Sequence, residues 1–311
     1  MTNDRGNTTV KNNARYIAAP YIIWMMVFII VPLALIAVFA FTTAVTVDAD
    51  GNLISPEEIE GYDAGEDPET EIYEKTIFTI DNLLLVSNYM PVLAKSLWLA
   101  FIATAICLVI GYPLSYIISR YRFSRQKIMI MFIMLPMWMN FLLRTYAWMT
   151  LLERNGWINK FMALFGLGPF EMINTQGAVI LGMVYNYLPF MILPLYSVMT
   201  KIDDRTIEAA HDLGAKGYSV FSRIVLPLSM PGVASGITMV FVPAISTFII
   251  SRMLGGGTNM LIGDLIDLQF LGNAYNPHLG AAISLVLMVF ILLCMSITNH
   301  LDNEDIEGVL L

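Results

Sequence analysis

Six long apolar runs constrain this chain more than any other feature of its sequence. Each is near or above the 20 residues that a helix needs to cross the hydrocarbon of a bilayer. The runs cover residues 17–44, 96–118, 128–152, 177–199, 233–252 and 280–299. Several contain proline, and in a bundle the neighbouring helices can satisfy the carbonyl groups that a proline leaves free. The sequence therefore predicts an all-α integral membrane protein with six transmembrane helices.

The composition excludes several other classes of protein. Hydrophobic residues make up 57% of the 311 residues and charged residues only 14%, whereas a soluble domain has roughly 25% charged residues. So few charges cannot cover a soluble core of this size, which excludes an ordinary soluble enzyme and a disordered chain. A net charge of −8 disfavours nucleic-acid binding, because phosphate binding needs a basic face. Cys107 and Cys294 lie inside apolar runs, so no disulfide, metal site or cofactor is expected.

The distribution of charge predicts how the chain is oriented. Residues 45–93 contain twelve of the 25 acidic residues and one of the 17 basic residues. If the N-terminus (1–16) is cytoplasmic, eleven of the 17 Lys and Arg residues fall in cytoplasmic segments, as the positive-inside rule expects. This orientation puts the acidic segment 45–93 outside and residues 201–232 inside. With six spans the tail at 300–311 is also cytoplasmic, which predicts a multi-pass membrane protein with both termini in the cytoplasm.

The cytoplasmic segment 201–232 predicts a short amphipathic helix across the inner mouth of the bundle. Asp203 or Asp204 can cap this helix. Residues 205–213 favour helix, and Gly214 fits the left-handed position at which a helix stops. A second helical piece then leads through two prolines into the fifth span.

The same segment carries a motif that is typical of one protein family. A Glu-Ala-Ala triplet is followed after three residues by glycine, and after nine more by Ile-Val-Leu-Pro. At every fixed position this spacing resembles the EAA loop of the permease subunits of ABC importers that depend on a binding protein. The resemblance implies a MetI-like helical bundle in a prokaryotic cytoplasmic membrane, with a loop that couples it to a cytoplasmic ATPase. The residues that it implies for this coupling are Glu208, Ala209, Ala210, Gly214, Ile224, Leu226 and Pro227.

Further motifs resemble the permeases of spermidine/putrescine importers of the PotB type. They lie at 78–82, 143–148, 188–197 and 253–263. The resemblance implies half of a translocation path, which pairs with a second, PotC-like permease, a PotA-like ATPase dimer and an external PotD-like polyamine-binding protein. The chain has no phosphate-binding loop sequence, so the ATPase is expected to be a separate subunit and this chain is not expected to be an enzyme. Its acidic segment is longer and more acidic than the family leads one to expect.

Candidates for lining a cation path lie in the third and fourth spans. Asn140, Arg144 and Trp148 recur every four residues, and Tyr185 and Asn186 lie near the middle of the fourth span. A path for a polyamine needs aromatic rings, carbonyl oxygens and a few acids. The alternative for each of these residues is helix packing or an interfacial aromatic belt. Arg144 suits a cation path poorly, and we expect it to pair with an acid or a lipid headgroup.

For other residues two interpretations stay open. Glu153, Asp264 and Asp267 could form an electrostatic entrance near the outer face, or only a solvated rim. Tyr112 and Tyr116 line part of the second span, with packing as the alternative. The acidic segment could concentrate cations, contact the binding protein or be a disordered insertion.

Two other functions compete with import of polyamines. The first is import of another small organic cation or related solute by the same kind of complex. The second, from a different class, is a secondary transporter that works without an ATPase. Such transporters are built from inverted repeats with interrupted helices in both halves, and the sequence does not display that symmetry.

Overall fold

The computed structural model describes residues 20–47, 73–257, 259–272 and 275–309. These residues are mostly helical. They form two compact units, one made of the described residues within Met1–Asn88 and Gln269–Leu287, the other of those within Tyr89–Leu268 and Met288–Leu311. The predicted N-terminal segment 1–16 and the central part of the acidic segment lie outside the described residues.

Twelve helices are present in the described part of the chain. In order they are α1 (Pro20–Ala40), α2 (Asp81–Val86), α3 (Met90–Ser119), α4 (Phe123–Met134), α5 (Phe141–Leu152), α6 (Trp157–Ala163), α7 (Gln176–Met199), α8 (Asp204–Asp212), α9 (Gly217–Ser246), α10 (Ile249–Gly255), α11 (Ile262–Leu271) and α12 (Pro277–Val309). By length and apolarity α1, α2 with α3, α7, α9 and the first part of α12 can each cross a membrane. The bent pair of α4 and α5, followed by α6, supplies a sixth candidate.

The first unit contains a short antiparallel ribbon that follows α1. Strands β1 (Thr42–Val47) and β2 (Tyr73–Phe78) pair with Thr42 opposite Phe78. The Asn82 amide then donates to the carbonyl of Thr42 at 2.8 Å, so α2 is held against the ribbon. Threonine and valine dominate β1, and β-branched residues favour strands. The described flanks of the acidic segment 45–93 therefore contain strand and helix.

The core of the second unit is a tight contact of α3, α7 and α9. Met191 of α7 is fully buried between glycines of its two neighbours. A side chain at Gly111 of α3 would place Cβ at 3.0 Å from Met191 Cγ, and one at Gly236 of α9 would place it at 2.7 Å from Met191 Sδ. Helices in lipid gain little from the hydrophobic effect, so close packing over small residues holds them together. This core therefore depends on those two glycines.

The third predicted span, 128–152, is broken rather than continuous. α4 ends in a 3₁₀ turn, Leu135–Trp138, and the axis turns by 89° before α5 continues. Pro136 lies in that turn and has no N–H to continue the α-helix. The side chain of Asn140 then caps α5 by accepting from the backbone N–H of Leu142 at 2.8 Å. A signal that ends one helix and a signal that begins the next therefore lie side by side in the middle of an apolar run.

Other helix boundaries also differ from the predicted spans. α9 starts well before the predicted 233–252, and after Ser246 a separate short helix, α10, begins. α12 continues to Val309 through most of the predicted tail 300–311. Apolar length defines the part of a helix that can lie in hydrocarbon, and polar turns can extend the same helix beyond it.

Candidate functional site

The short helix α8 lies where the sequence predicts it, and Asp203 is its N-cap. The Asp203 carboxylate accepts from the backbone N–H of Arg205 at 3.0 Å. Asp204 lies in the first turn, where a negative charge interacts favourably with the helix dipole. The cap and the acidic first turn both stabilise this end of the helix.

The other end of α8 closes in a Schellman motif built on Gly214. The N–H of Gly214 donates to the His211 carbonyl at 2.9 Å, and the N–H of Ala215 donates to the Ala210 carbonyl at 3.0 Å. This pair of bonds requires a left-handed residue at the stop position, and Gly214 has φ of 83°. The predicted role of Gly214 in ending the helix is confirmed.

The surface of α8 and of the chain just after it is open. Glu208 and Ala209 are exposed. Leu213 is 90% exposed and Tyr218 80% exposed. Two large apolar groups this exposed, close in the chain to an exposed carboxylate and a small residue, suit contact with a protein partner. We call Glu208, Ala209, Leu213 and Tyr218 the open face.

The remaining predicted coupling residues lie on α9, which starts three residues after Gly214. Ile224 is half-buried, whereas Leu226 and Pro227 are exposed. A π-helical turn, Phe221–Val225, precedes the proline within the continuous helix. Such a turn relieves the clash that a proline ring makes with the preceding turn of an α-helix. The connection from α8 to α9 is therefore short, and α9 itself stays unbroken into the bundle.

A buried glutamine that sequence reasoning missed organises the turn between α3 and α4. The Gln126 amide group donates to the carbonyls of Ser119 at 2.9 Å and Tyr121 at 2.7 Å. Its own carbonyl accepts from the hydroxyl of Tyr196 on α7 at 3.0 Å. Its partners Ser119 and Tyr121 are near in the sequence, but Tyr196 is 70 positions away. No local pattern therefore distinguishes this glutamine from an exposed one.

Arg120, between the two residues that Gln126 holds, connects this turn to α8. Its guanidinium forms an ion pair with the Asp204 carboxylate. It also donates to the carbonyl of Ile202 at 3.3 Å. This contact was likewise not predicted from the sequence.

Of the four predicted path residues, two are brought into contact. The rings of Trp148 on α5 and Tyr185 on α7 meet edge to face, with centroids 5.3 Å apart. Asn186, which follows Tyr185 in the sequence, is buried, and its amide donates to the Gly182 carbonyl at 2.9 Å. Its side-chain oxygen is buried without a hydrogen-bond partner among the described residues.

The polar stripe predicted from the four-residue spacing of Asn140, Arg144 and Trp148 is only partly present. Asn140 caps α5 rather than lying on a continuous helical face, because the span breaks there. Arg144 is buried, and its guanidinium carbon lies 5.8 Å from the centre of the Phe141 ring. Within the described chain no carboxylate pairs with Arg144, and its Nε and Nη1 have no hydrogen-bond partner. Of the two partners that we expected for Arg144, an acid or a lipid headgroup, the acid is thus not found there.

The acids predicted near the outer face have different surroundings. Arg252 pairs with Asp267 at 2.5 Å and lies 3.9 Å from Asp264. Asp264 is buried, and burial raises its pKa above the usual range for a carboxyl. Hydrogen bonds from Ser251 and from the backbone of Leu261, together with Arg252, oppose this shift. Arg252 therefore lies beside both acids, and its single positive charge balances one of their two possible negative charges.

Glu153 is different, since its side chain is exposed at the end of α5. Of the two tyrosines predicted for the second span, Tyr112 shares a hydrogen bond of 2.7 Å with Ser229 on α9. The rings of Tyr112 and Tyr116 both meet Phe221 edge to face. These contacts favour helix packing as the explanation for the two tyrosines.

The fold and the motif together define a family. The chain belongs to the binding-protein-dependent transport system inner membrane components, whose sequence profile matches residues 11–304. It is thus a multi-pass inner-membrane permease component of an ABC importer with a MetI-like fold, and the predicted family and fold are confirmed.

Individual proteins of known sequence or structure resemble this chain over most of its length. The chain is 38% identical to the spermidine/putrescine transport system permease protein PotB of Escherichia coli K12 over 242 residues, covering 76% of this chain and 88% of that protein. It is 34% identical to PotB of Haemophilus influenzae over 289 residues, covering 91% and 93%. Among solved structures, a bacterial ABC transporter involved in the import of the acidic polysaccharide alginate has a chain of similar fold. That match has a TM-score of 0.69 and 17% identity, and covers 97% of this chain and 99% of the other.

Proposed function

We propose that this chain is the permease subunit of an ATP-driven importer of polyamines such as spermidine and putrescine, and that it forms half of the translocation path. The observation that carries the proposal is the 34–38% identity to PotB proteins of two bacteria over most of the chain. The alginate transporter shares only the fold, so its substrate does not bear on this chain.

The physics of a polyamine defines what the path must provide. Exposing a charge at the centre of a bilayer costs several kcal/mol or more, so the ammonium groups need a lined cavity. The membrane potential favours entry by about 2.3 kcal/mol per charge per 100 mV. ATP is then needed chiefly to gate the path and to accumulate the cation against its gradient.

The aromatic pair of Trp148 and Tyr185 supports a role in binding the cation. Aromatic faces attract ammonium groups, and the two rings lie 5.3 Å apart on facing helices. The free side-chain oxygen of Asn186 is a suitable acceptor for an ammonium N–H if α7 turns slightly. Asn140 keeps a structural role in this proposal, since its side chain is used in capping α5.

The open face of α8 supports the coupling role. Its exposed carboxylate at Glu208 can meet a basic residue of an ATPase, while Leu213 and Tyr218 offer apolar contact. Gly214, Ile224, Leu226 and Pro227 then join this face to α9, so movement of the ATPase tilts a membrane helix. The proposal places α8 and both chain termini in the cytoplasm, with the acidic segment 45–93 outside.

The partners in this proposal are a second permease of the PotC kind, an ATPase dimer of the PotA kind and an external polyamine-binding protein of the PotD kind. Uptake by the complete complex in proteoliposomes tests the substrate. We expect ATP-dependent uptake of labelled spermidine or putrescine, and competition by the other polyamine. Transport of a different organic cation with no uptake of either polyamine would refute the substrate, and uptake without the ATPase would refute the class.

Glu208→Lys tests the coupling role of the open face. We expect loss of uptake and of ATPase co-purification, with normal insertion of the permease. Thr206→Lys is the matched control, because Thr206 is exposed on the same helix and lies roughly opposite Glu208 at 100° per residue. Normal uptake by Glu208→Lys would remove the coupling role.

A further inference from the structure

We propose that Arg120 is a positioning residue that fastens the coupling helix α8 to the α3–α4 turn, so that α8 acts on the bundle through two connections. The first is the backbone into α9. The second is the guanidinium of Arg120, which binds the Asp204 carboxylate and the Ile202 carbonyl at the start of α8. This inference rests on the proposed coupling role of α8 and names the residue that transmits its movement to α3.

The two sides of the ion pair differ in exposure. The Arg120 side chain is 22% exposed and that of Asp204 is 72% exposed. The guanidinium carbon lies 5.3 Å from the centre of the Tyr116 ring, one turn earlier on α3. Two further guanidinium nitrogens, Nε and Nη2, are buried without a hydrogen-bond partner in the described chain.

This asymmetry distinguishes the pair from an ordinary surface salt bridge, which contributes little. Most of the Arg120 side chain is shielded from solvent, on the side of the helical bundle. Its charge is balanced by a group on the coupling helix. Removing that acid would leave a mostly buried charge without its partner, which is strongly unfavourable. The arginine therefore holds α8 at one distance from α3 as long as Asp204 is present.

The residue that makes this contact is itself held on both sides. The Gln126 amide binds the carbonyls of Ser119 and Tyr121, the two neighbours of Arg120 in the chain. The same Gln126 accepts from Tyr196 on α7. The guanidinium thus projects from a turn that is tied to α7, and α7 leads directly into α8.

These contacts form a closed ring. It runs from α7 through Tyr196 and Gln126 to the turn, through Arg120 to Asp204, and back along residues 200–203 to α7. In a closed ring, a displacement of α8 cannot be absorbed by the short segment between α7 and α8 alone. It must move the end of α3 as well, and α3 packs against both α7 and α9. Opening the ring at Arg120 leaves only the backbone connections.

The test compares Arg120→Met with Arg122→Met in the complete complex in proteoliposomes. Arg122 lies two residues further on and is exposed. Labelled spermidine uptake and binding-protein-stimulated ATP hydrolysis are measured in the same vesicles. We expect Arg120→Met to keep the ATPase bound and hydrolysing, while uptake per ATP falls by about tenfold, within the range of coupling changes seen along packed networks. Arg122→Met should match the wild type.

A wild-type ratio of uptake to hydrolysis in Arg120→Met would overturn the proposal. If that variant does not assemble, Asp204→Ala removes the acid and leaves Arg120 and the Asp203 cap in place. A fall of about tenfold in the ratio of uptake to hydrolysis in Asp204→Ala supports the ion pair, and a wild-type ratio in that variant overturns it. Failure of the proposed function is separate, because it is reported by Glu208→Lys and by the substrate assay, not by the ratio in Arg120 variants.

Discussion

Replacing Gly214 by alanine should loosen the C-terminal end of α8 through backbone conformation alone. The glycine has φ of 83°, in the left-handed region. A Cβ added there would have no atom within 4 Å, so no clash contributes. A residue with a Cβ pays roughly 1–2 kcal/mol in this conformation, which corresponds to about a 5–30-fold increase in the population of the open end. Asparagine tolerates the left-handed region better and should give a smaller effect.

Hydrogen exchange of the peptide that covers 204–216, followed by mass spectrometry in nanodiscs, measures this opening. The amides of Gly214 and Ala215 should exchange faster, because they donate the two bonds of the Schellman motif. Gly217→Ala is the matched control, since Gly217 also has open space around it and lies at the start of α9 rather than at a left-handed position. It should exchange no faster than wild type. If Gly214→Ala exchanged like wild type, or if Gly217→Ala showed the same increase, the conformational explanation would be wrong.

Three further predictions concern stability, and thermal unfolding in detergent measures each of them. Gly263→Ala should lower the free energy of unfolding by about 1–3 kcal/mol, since its Cβ would lie 2.5 Å and 2.7 Å from two main-chain carbonyl oxygens. Gly177→Ala is the control and should leave stability unchanged, because the nearest atom to its Cβ would lie at an ordinary 3.7 Å. Equal melting temperatures of the two variants would contradict this. Tyr196→Phe should lower the free energy of unfolding by about 1 kcal/mol, because it removes the hydroxyl that donates to Gln126. An unchanged melting temperature would show that this hydrogen bond does not stabilise the fold. Burial raises the pKa of Asp264, so the stability that this carboxyl contributes should be present below its ordinary pKa of about 4 and lost as pH rises through the higher pKa of the folded state. Asp264→Asn should flatten this dependence of the melting temperature on pH. An unaltered pH profile in Asp264→Asn would refute the prediction.

The sequence was informative for several features that residues close together in the chain determine. Apolar length predicted the membrane-crossing helices, and the Asp203 and Gly214 signals predicted both ends of α8. The EAA spacing identified the family because its fixed positions extend over twenty residues of one loop. Each of these features depends on residues close together in the chain.

Features that depend on distant residues were not predictable in the same way. Arg120 and Asp204 are 84 positions apart, and Gln126 and Tyr196 are 70 apart. Nothing near Arg120 distinguishes it from the other basic residues of that turn. The break at Asn140 had local signals, a proline followed by a capping residue, but the continuous apolar run outweighed them in the prediction.

The first helix has a consequence for how the protein is made. Of the five unbroken candidate membrane helices in the described chain, α1 is the most apolar, and its most apolar 18 residues have no buried member. Of the same five, α7 and α9 are the least apolar, and α7 has the largest buried share. Transfer from the ribosome into lipid is governed by hydrophobicity, so α1 can partition into the bilayer alone as soon as it is synthesised. α7 and α9 depend more on packing against neighbouring helices. We therefore expect a translation-arrested chain that ends after α1 to be stably integrated, and a chain that consists of α7 alone to be extracted by alkali.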